Sequence, residues 1–371
     1  MIYIVQPGDT LSAISRRYGI PQAAIQYLNQ LPDPDGLVVG QALLLLSRIK
    51  TGPWTAQVNG FAYPYISPWV LNETLPFLNL LSVFSYGFTG EGNLLEPALE
   101  DQWMVERAGY FGAESALVLT PLGPDGQFNN NLVHRLVEDR QAQENLLSQL
   151  AWAMEAKGYR ELNIDFEYVL AEDRVPFTEF VALAAETLPY PVTVCLAPKT
   201  SRDQPGLLYE GKDYALLGQA ADRVLLMTYE WGYKYGPPMA VAPLDKVRQV
   251  VKYALTEIPA EKISLGMSNY GYDWPLPFVR GKTVARTIGN VEAVERARQV
   301  GAEIQFDPIA QSPYYTYIEE GIVHEVWFED VRSWQGKLDL LREYGLTGVG
   351  IWQVMRLFRA GMNLLGEDLR T

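Results

Sequence analysis

Asn163, Asp165 and Glu167 alternate along the run Asn163-Ile164-Asp165-Phe166-Glu167-Tyr168. In extended backbone, residues two apart share a face, so an amide and two carboxyl groups stand side by side. Burying such a set costs free energy unless the groups pair or take part in chemistry. The competing explanation is a salt-bridged strand end, but no Arg or Lys is interleaved there. A carboxyl beside an ionised neighbour has its pKa raised, which suits such a pair to general acid catalysis. Two further motifs hold aromatic side chains: Met227-Thr228-Tyr229-Glu230 and Gly350-Ile351-Trp352. Taken singly, Tyr229 and Trp352 read as core aromatics.

The elements that must position these residues are short apolar strands alternating with helical patterns. The strands are expected at Val58–Tyr63, Leu81–Phe88, Ser115–Thr120, Glu161–Asp165, Val192–Ala197, Arg223–Thr228, Lys262–Met267 and Gly348–Trp352. Helices are expected at Gln141–Lys157, Val175–Glu186, Leu244–Glu257 and Trp334–Tyr344. Near-continuous hydrophobic strands between helices indicate a parallel sheet covered on both faces. Eight such units predict an α/β fold, a (β/α)8 TIM barrel, with a doubly wound open sheet as the alternative. In a barrel, chemistry collects at the C-terminal ends of the strands, and the three motifs end strands four, six and eight. The long stretch between strands seven and eight, Tyr272–Asp330, predicts a small α+β insert over one rim. It holds a helix at Val291–Val300 and strand-like pieces around Tyr314–Ile318 and Val323–Phe328.

The first residues follow another plan. Ile2–Val5 reads as a strand, and Pro7-Gly8-Asp9-Thr10 as a turn in which Asp9 or Thr10 caps a helix over Leu11–Tyr18. Gly19 closes that helix and Pro21 opens a second. Ala42–Leu46 is a returning strand. The expected division is a βααβ domain at residues 1–47, a linker at 48–56 around Gly52-Pro53, and the barrel at 57–371.

The N-terminal residues resemble a LysM module: Tyr3-Ile4-Val5-Gln6-Pro7-Gly8-Asp9-Thr10-Leu11, Tyr18-Gly19-Ile20, Leu28-Asn29 and Leu37-Val38-Val39-Gly40-Gln41. The resemblance implies binding of N-acetylglucosamine-containing glycans, peptidoglycan or chitin, in a groove between two loops. Gly8, Asp9, Thr10 and Leu11 form one wall; Pro34, Asp35, Gly36, Leu37 and Val38 form the other. On the residues alone, Gly8 and Asp9 are also turn and cap residues.

From Val58 onward the chain resembles family 18 glycoside hydrolases. Their strand-four motif, Asp-x-x-Asp-x-Asp-x-Glu, is matched at Asp165 and Glu167, while Arg160 and Asn163 stand at the first two acidic positions. Within this family the resemblance is to spore cortex-lytic N-acetylglucosaminidases, carried by Leu162–Val169, Tyr270-Gly271-Tyr272-Asp273-Trp274 and His324–Asp330. It implies Glu167 as acid and then base, with Asp165 and Tyr229 orienting the substrate's 2-acetamido group as an internal nucleophile. It further implies Asn163, Glu230, Trp352, Asn269 and Tyr63 as substrate-binding residues, with Asn163 donating a hydrogen bond to Asp165. An endo-acting chitinase and a catalytically inactive lectin are the alternatives. Retention of Glu167 weighs against the lectin.

Composition bounds the rest. A net charge of −14 provides no basic footprint for nucleic acid or anionic membrane. Cys195 is expected as a small core residue. His134 and His324 lie far apart, with His324 expected to be the more exposed and to fix the insert. No metal or cofactor is expected, and the chain is expected to be a monomer. No signal peptide is expected, since Met1–Gln6 leads directly into a strand. The resemblance implies association with the spore coat or cortex after synthesis in the mother cell.

Overall fold

Eight strands run parallel in the computed structural model, which describes residues 1–46 and 54–370. They are Gln57–Ala62, Leu80–Phe88, Glu114–Leu119, Glu161–Ile164, Val192–Leu196, Arg223–Leu226, Ile263–Ser268 and Gly348–Trp352, hereafter strands one to eight. Strand eight pairs with strand one, Gly348 opposite Gln57, and strand one pairs with strand two, Asn59 opposite Leu80. The sheet therefore closes into a barrel, and the open doubly wound alternative is excluded. Helices such as Arg140–Lys157, Arg174–Thr187, Leu244–Glu257 and Val331–Tyr344 pack outside it.

Alternation along the strands stacks the interior in layers. Near the N-terminal ends lies a polar layer: Ser82 donates to Asn59 at 2.9 Å and Thr193 to Glu161 at 2.7 Å. Above it sits an apolar plug of Phe61, Phe84, Val118, Cys195 and Leu225. Two residues beyond Leu225, Met227 reaches the mouth, as Asp165 does two residues beyond Asn163 on strand four.

The insert is larger than the sequence suggested. Its antiparallel sheet has five strands, in the order Arg286–Ile288, Gly271–Leu276, Ile322–Trp327, Ser312–Glu319 and Gln305–Asp307. The helix Asn290–Val300 covers it. Asp273 accepts from Tyr317 Oη at 2.7 Å and pairs with His324 Nδ1 at 2.8 Å, and the imidazole stacks on Tyr317. His324 thus fixes the insert as expected. The more exposed histidine is nevertheless His134, at 42% against 18% for His324.

Residues 2–44 form the βααβ domain, with Ile2–Ile4 antiparallel to Ala42–Leu44. Of the two candidate caps, Thr10 takes the helix terminus, its Oγ1 accepting from Ala13 N at 3.1 Å. Asp9 instead holds the turn, accepting from Tyr3 Oη at 2.6 Å and Gln6 N at 2.7 Å. Gly8 takes φ +84°, which only glycine adopts at little cost. Of the linker expected at 48–56, residues 48–53 with Gly52-Pro53 lie outside the described residues, whereas Trp54–Thr55 is a short strand parallel to Leu369–Arg370 and so belongs to the barrel domain. The two domains are in broad contact. Leu44 belongs to the main barrel core, and Val38 belongs to the core of the insert.

Candidate active site

A cleft of 450 Å³ opens at the C-terminal ends of the strands. Asp165, Glu167, Tyr229, Glu230 and Trp352 line it, so the motifs of strands four, six and eight converge as their spacing predicted. Each arrives where regular backbone gives way. Strand four ends at Ile164, leaving Asp165 buried and Glu167 open to the cleft. Strand six ends at Leu226 and turns sharply, Tyr229 N donating to Met227 O at 2.9 Å. Glu230 then takes φ +67°, a left-handed conformation that costs a non-glycine residue on the order of 1 kcal/mol. Trp352 ends strand eight and packs edge-on against Phe84 and Tyr63, with ring centroids 4.9 and 6.1 Å apart.

Burial and the charge of Glu167 push the Asp165 carboxyl up to about 7, against the pull of Lys212. Tyr229 is pushed up by burial and by the neighbouring anions, so its hydroxyl is a permanent donor. Glu230 accepts from Tyr270 Oη, and from Tyr272 Oη at 2.9 Å. Desolvation by the cleft walls still leaves its pKa raised.

Three expected substrate-binding residues stand elsewhere. Asn163 is fully buried beneath Asp165; its Oδ1 accepts from Cys195 Sγ at 3.1 Å. No bond joins Asn163 to Asp165: Asn163 Nδ2 and Asp165 Oδ1 are both without partners among the described residues. Asn269 is also buried, donating to Gln353 O at 3.1 Å and Arg356 O at 2.9 Å. It therefore anchors the loop after Trp352. Tyr63 does not line the cleft but stacks on Tyr65 beside it, and burial raises its pKa to about 12.

Comparison with known proteins decides the family. The family model "Glycosyl hydrolases family 18" matches residues 126–356, and the LysM domain model matches residues 3–45. A cortical fragment-lytic enzyme of Bacillus subtilis (strain 168) is 34% identical, covering 99% of this chain and 97% of its own. The one from Bacillus anthracis is 36% identical, covering 99% and 98%. The crystal structure of the Bacillus cereus spore cortex-lytic enzyme SleL superposes with a TM-score of 0.83 at 35% identity, over 100% of this chain and 86% of that one. The chain belongs to glycosyl hydrolase family 18. It is a glycosidase with an N-terminal LysM domain.

Seen as a family 18 site, the cleft shows what the sequence missed. Tyr270 and Tyr272 bracket Glu230, with a hydrophobic signature that hides their hydroxyl contacts. Tyr209, Met227 and Gln353 also line it. Lys212, buried near both carboxylates, sits in a turn-rich loop that carries no motif. Arg160, standing for the family's first Asp, is exposed just before strand four. In the LysM domain, Gly8, Thr10, Pro34 and Asp35 are exposed and Asp9 and Leu37 partly so. Leu11, Gly36 and Val38 are buried, so any share they have in a glycan groove falls to their backbone groups. Leu11 fills the domain's own core; Val38 fills that of the insert; a Cβ on Gly36 would lie 3.2 Å from Arg298 Cδ.

Proposed function

We propose that this glycosidase cleaves β-linked N-acetylglucosamine bonds in peptidoglycan, with spore cortex or its fragments as substrate, by substrate-assisted retaining catalysis. The observation that carries the reading is the convergence of Asp165, Glu167, Tyr229 and Trp352 on one cleft. Most glycosidases use one carboxyl as acid and another as nucleophile. Here Asp165 and Glu167 lie two residues apart on one side of the cleft, and the second carboxylate orients the substrate's 2-acetamido group. That group's oxygen attacks the anomeric carbon while Glu167 protonates the leaving oxygen. Glu167 then takes a proton from the water that opens the cyclic intermediate. Tyr229 Oη donates to the acetamido oxygen as charge develops, and Trp352 offers its face to the sugar ring. The cortex-lytic names and near full-length coverage of the relatives support cortex as the substrate and a spore-associated site of action, and the LysM domain supports wall binding.

Mass spectrometry of digests separates the readings. Cortex peptidoglycan should yield fragments ending in reducing N-acetylglucosamine. Cleavage of chitin oligomers with cortex left intact would make the enzyme a chitinase. Glu167→Gln keeps the shape but removes the proton donor, and the rate should fall on the order of 10²–10⁴-fold. Substrates with hydroxyl in place of 2-acetamido should be nearly inert. If they react as fast, or if proton NMR shows anomeric inversion, a protein nucleophile or base must be sought.

A further inference from the structure

Lys212 has no part in the chemistry above, yet it is fully buried among the site's anions. Its loop is built to hold it there. Gly211 presses against the segment after strand four, where any Cβ would lie 2.1 Å from Val169 O. Buried Lys199 donates to Lys212 O at 2.9 Å, and Asp213 caps the helix Tyr214–Ala220 by accepting from Leu216 N at 3.1 Å. The Lys212 ammonium has three donors, and its one hydrogen bond among the described residues is to Cys195 O, at 3.2 Å. A buried cation is costly unless it acts on an anion.

Several groups face Asp165. Glu167 follows it in the chain, Cys195 comes from strand five, Tyr229 follows strand six and Tyr63 follows strand one. Glu230 faces Glu167 across the cleft. Among these described neighbours Lys212 is the cation. Asn163, where the family motif has an acid, is neutral and leaves Asp165 Oδ1 unpaired. An inner carboxyl could exchange a proton with Asp165; an amide cannot. Asn163 offers no such exchange, and the buried charge of Lys212 acts on the same group.

We propose that Lys212 is a positioning residue for catalysis: it supplies the charge that keeps Asp165 a carboxylate facing the substrate's acetamido group, in place of the inner acid that Asn163 replaces. The inference rests on the proposed roles of Asp165 and Glu167. Burial lowers the Lys212 pKa and the charges of Asp165 and Glu167 hold it up, so cation and anion sustain each other.

The test is the pH dependence of kcat/KM on a soluble chromogenic N-acetylglucosamine oligomer, using the full chain. Lys212→Met removes charge and hydrogen bond in a side chain of similar length; because it leaves the buried Asp165 without its cation, its folding is checked by a melting curve before the assay. Lys212→Gln keeps a donor for Cys195 O without the charge. Both should move the acid limb up by about one pH unit, so that kcat/KM on the acid side falls about tenfold relative to the optimum. If either folded variant loses activity equally at every pH with its limbs unmoved, Lys212 only pins the loop and the proposal is overturned. Glu167→Gln, assayed in parallel, keeps the two ideas apart. Full activity there defeats the reading of the site itself. A silent Glu167→Gln beside unmoved Lys212 limbs defeats the Lys212 proposal alone.

Discussion

Asp165 ties function to stability at the level of one side chain. Its pKa is about 7 in the fold because burial and Glu167 both oppose its charge, against roughly 4 in an unfolded chain. A carboxyl with a raised folded pKa is bound by its proton more tightly when folded. Its stabilising effect is therefore complete below the unfolded pKa and is lost as pH rises toward 7. Asp165→Asn removes the ionisation, so its melting temperature relative to the parent should climb between about pH 4 and pH 8, while turnover falls because the acetamido group loses its orienting charge. A constant difference across that range would show that Asp165 keeps an ordinary pKa. The positions of Asp165, Glu167, Tyr229 and Trp352 were legible because strand alternation and a motif fix which way each points. Those of Asn163 and Asn269 were not. A buried amide and a cleft-lining amide look alike in sequence, and what separates them is the carbonyl or thiol that each meets from a distant segment.

At the scale of elements, the barrel was legible because eight apolar runs leave few alternatives once parallel pairing is assumed. The insert was legible only in part. Gly271–Leu276, with the sequence GYDWPL, lacks clean alternation and contains a proline; it is a strand because it pairs on both sides, with Arg286–Ile288 and with Ile322–Trp327. That strand matters to the site. It carries Tyr272, adjoins Tyr270, and so holds Glu230 in place. The link between His324, Asp273 and Tyr317 staples the same strand to the next two strands of its sheet, Ile322–Trp327 and Ser312–Glu319. His324→Ala removes one of the two partners of a buried carboxylate, a loss of about 1–3 kcal/mol. The expected outcome is a lower melting temperature and a raised KM with kcat nearly unchanged, since the insert shapes the cleft wall but supplies no proton. A fall in kcat at constant KM would assign the histidine to the chemistry instead.

The whole molecule departs from the picture of a binding module hung on a linker. Arg359 donates to Tyr27 O at 3.0 Å, lies over the Tyr27 ring and pairs with Glu73 at 2.8 Å, joining the LysM domain to the barrel. Gln30 accepts from Arg359 N at 2.7 Å, and Ile304 N donates to Val39 O at 2.9 Å. Gly40 sits at this seam at φ +83°, where a Cβ would meet Ile304 O at 1.8 Å. Gly40→Ala is therefore blocked by both backbone conformation and space. It should cost more than about 1 kcal/mol, read as a melting temperature lowered by a few degrees. Removing residues 1–46 tests the seam more severely. Leu44, with Ile2, Leu28, Ala42 and Leu46 around it, packs on the barrel core, so deletion uncovers apolar surface that the barrel has no other means to cover. Pelleting with insoluble wall should be lost, as expected for any LysM domain. Turnover of small soluble substrates should persist well below the melting transition, because Asp165, Glu167, Tyr229 and Trp352 all lie in the barrel, but the transition itself should move down. A truncated barrel that melts at the temperature of the full chain would mean that the seam contributes nothing and that the LysM domain is an independent module after all.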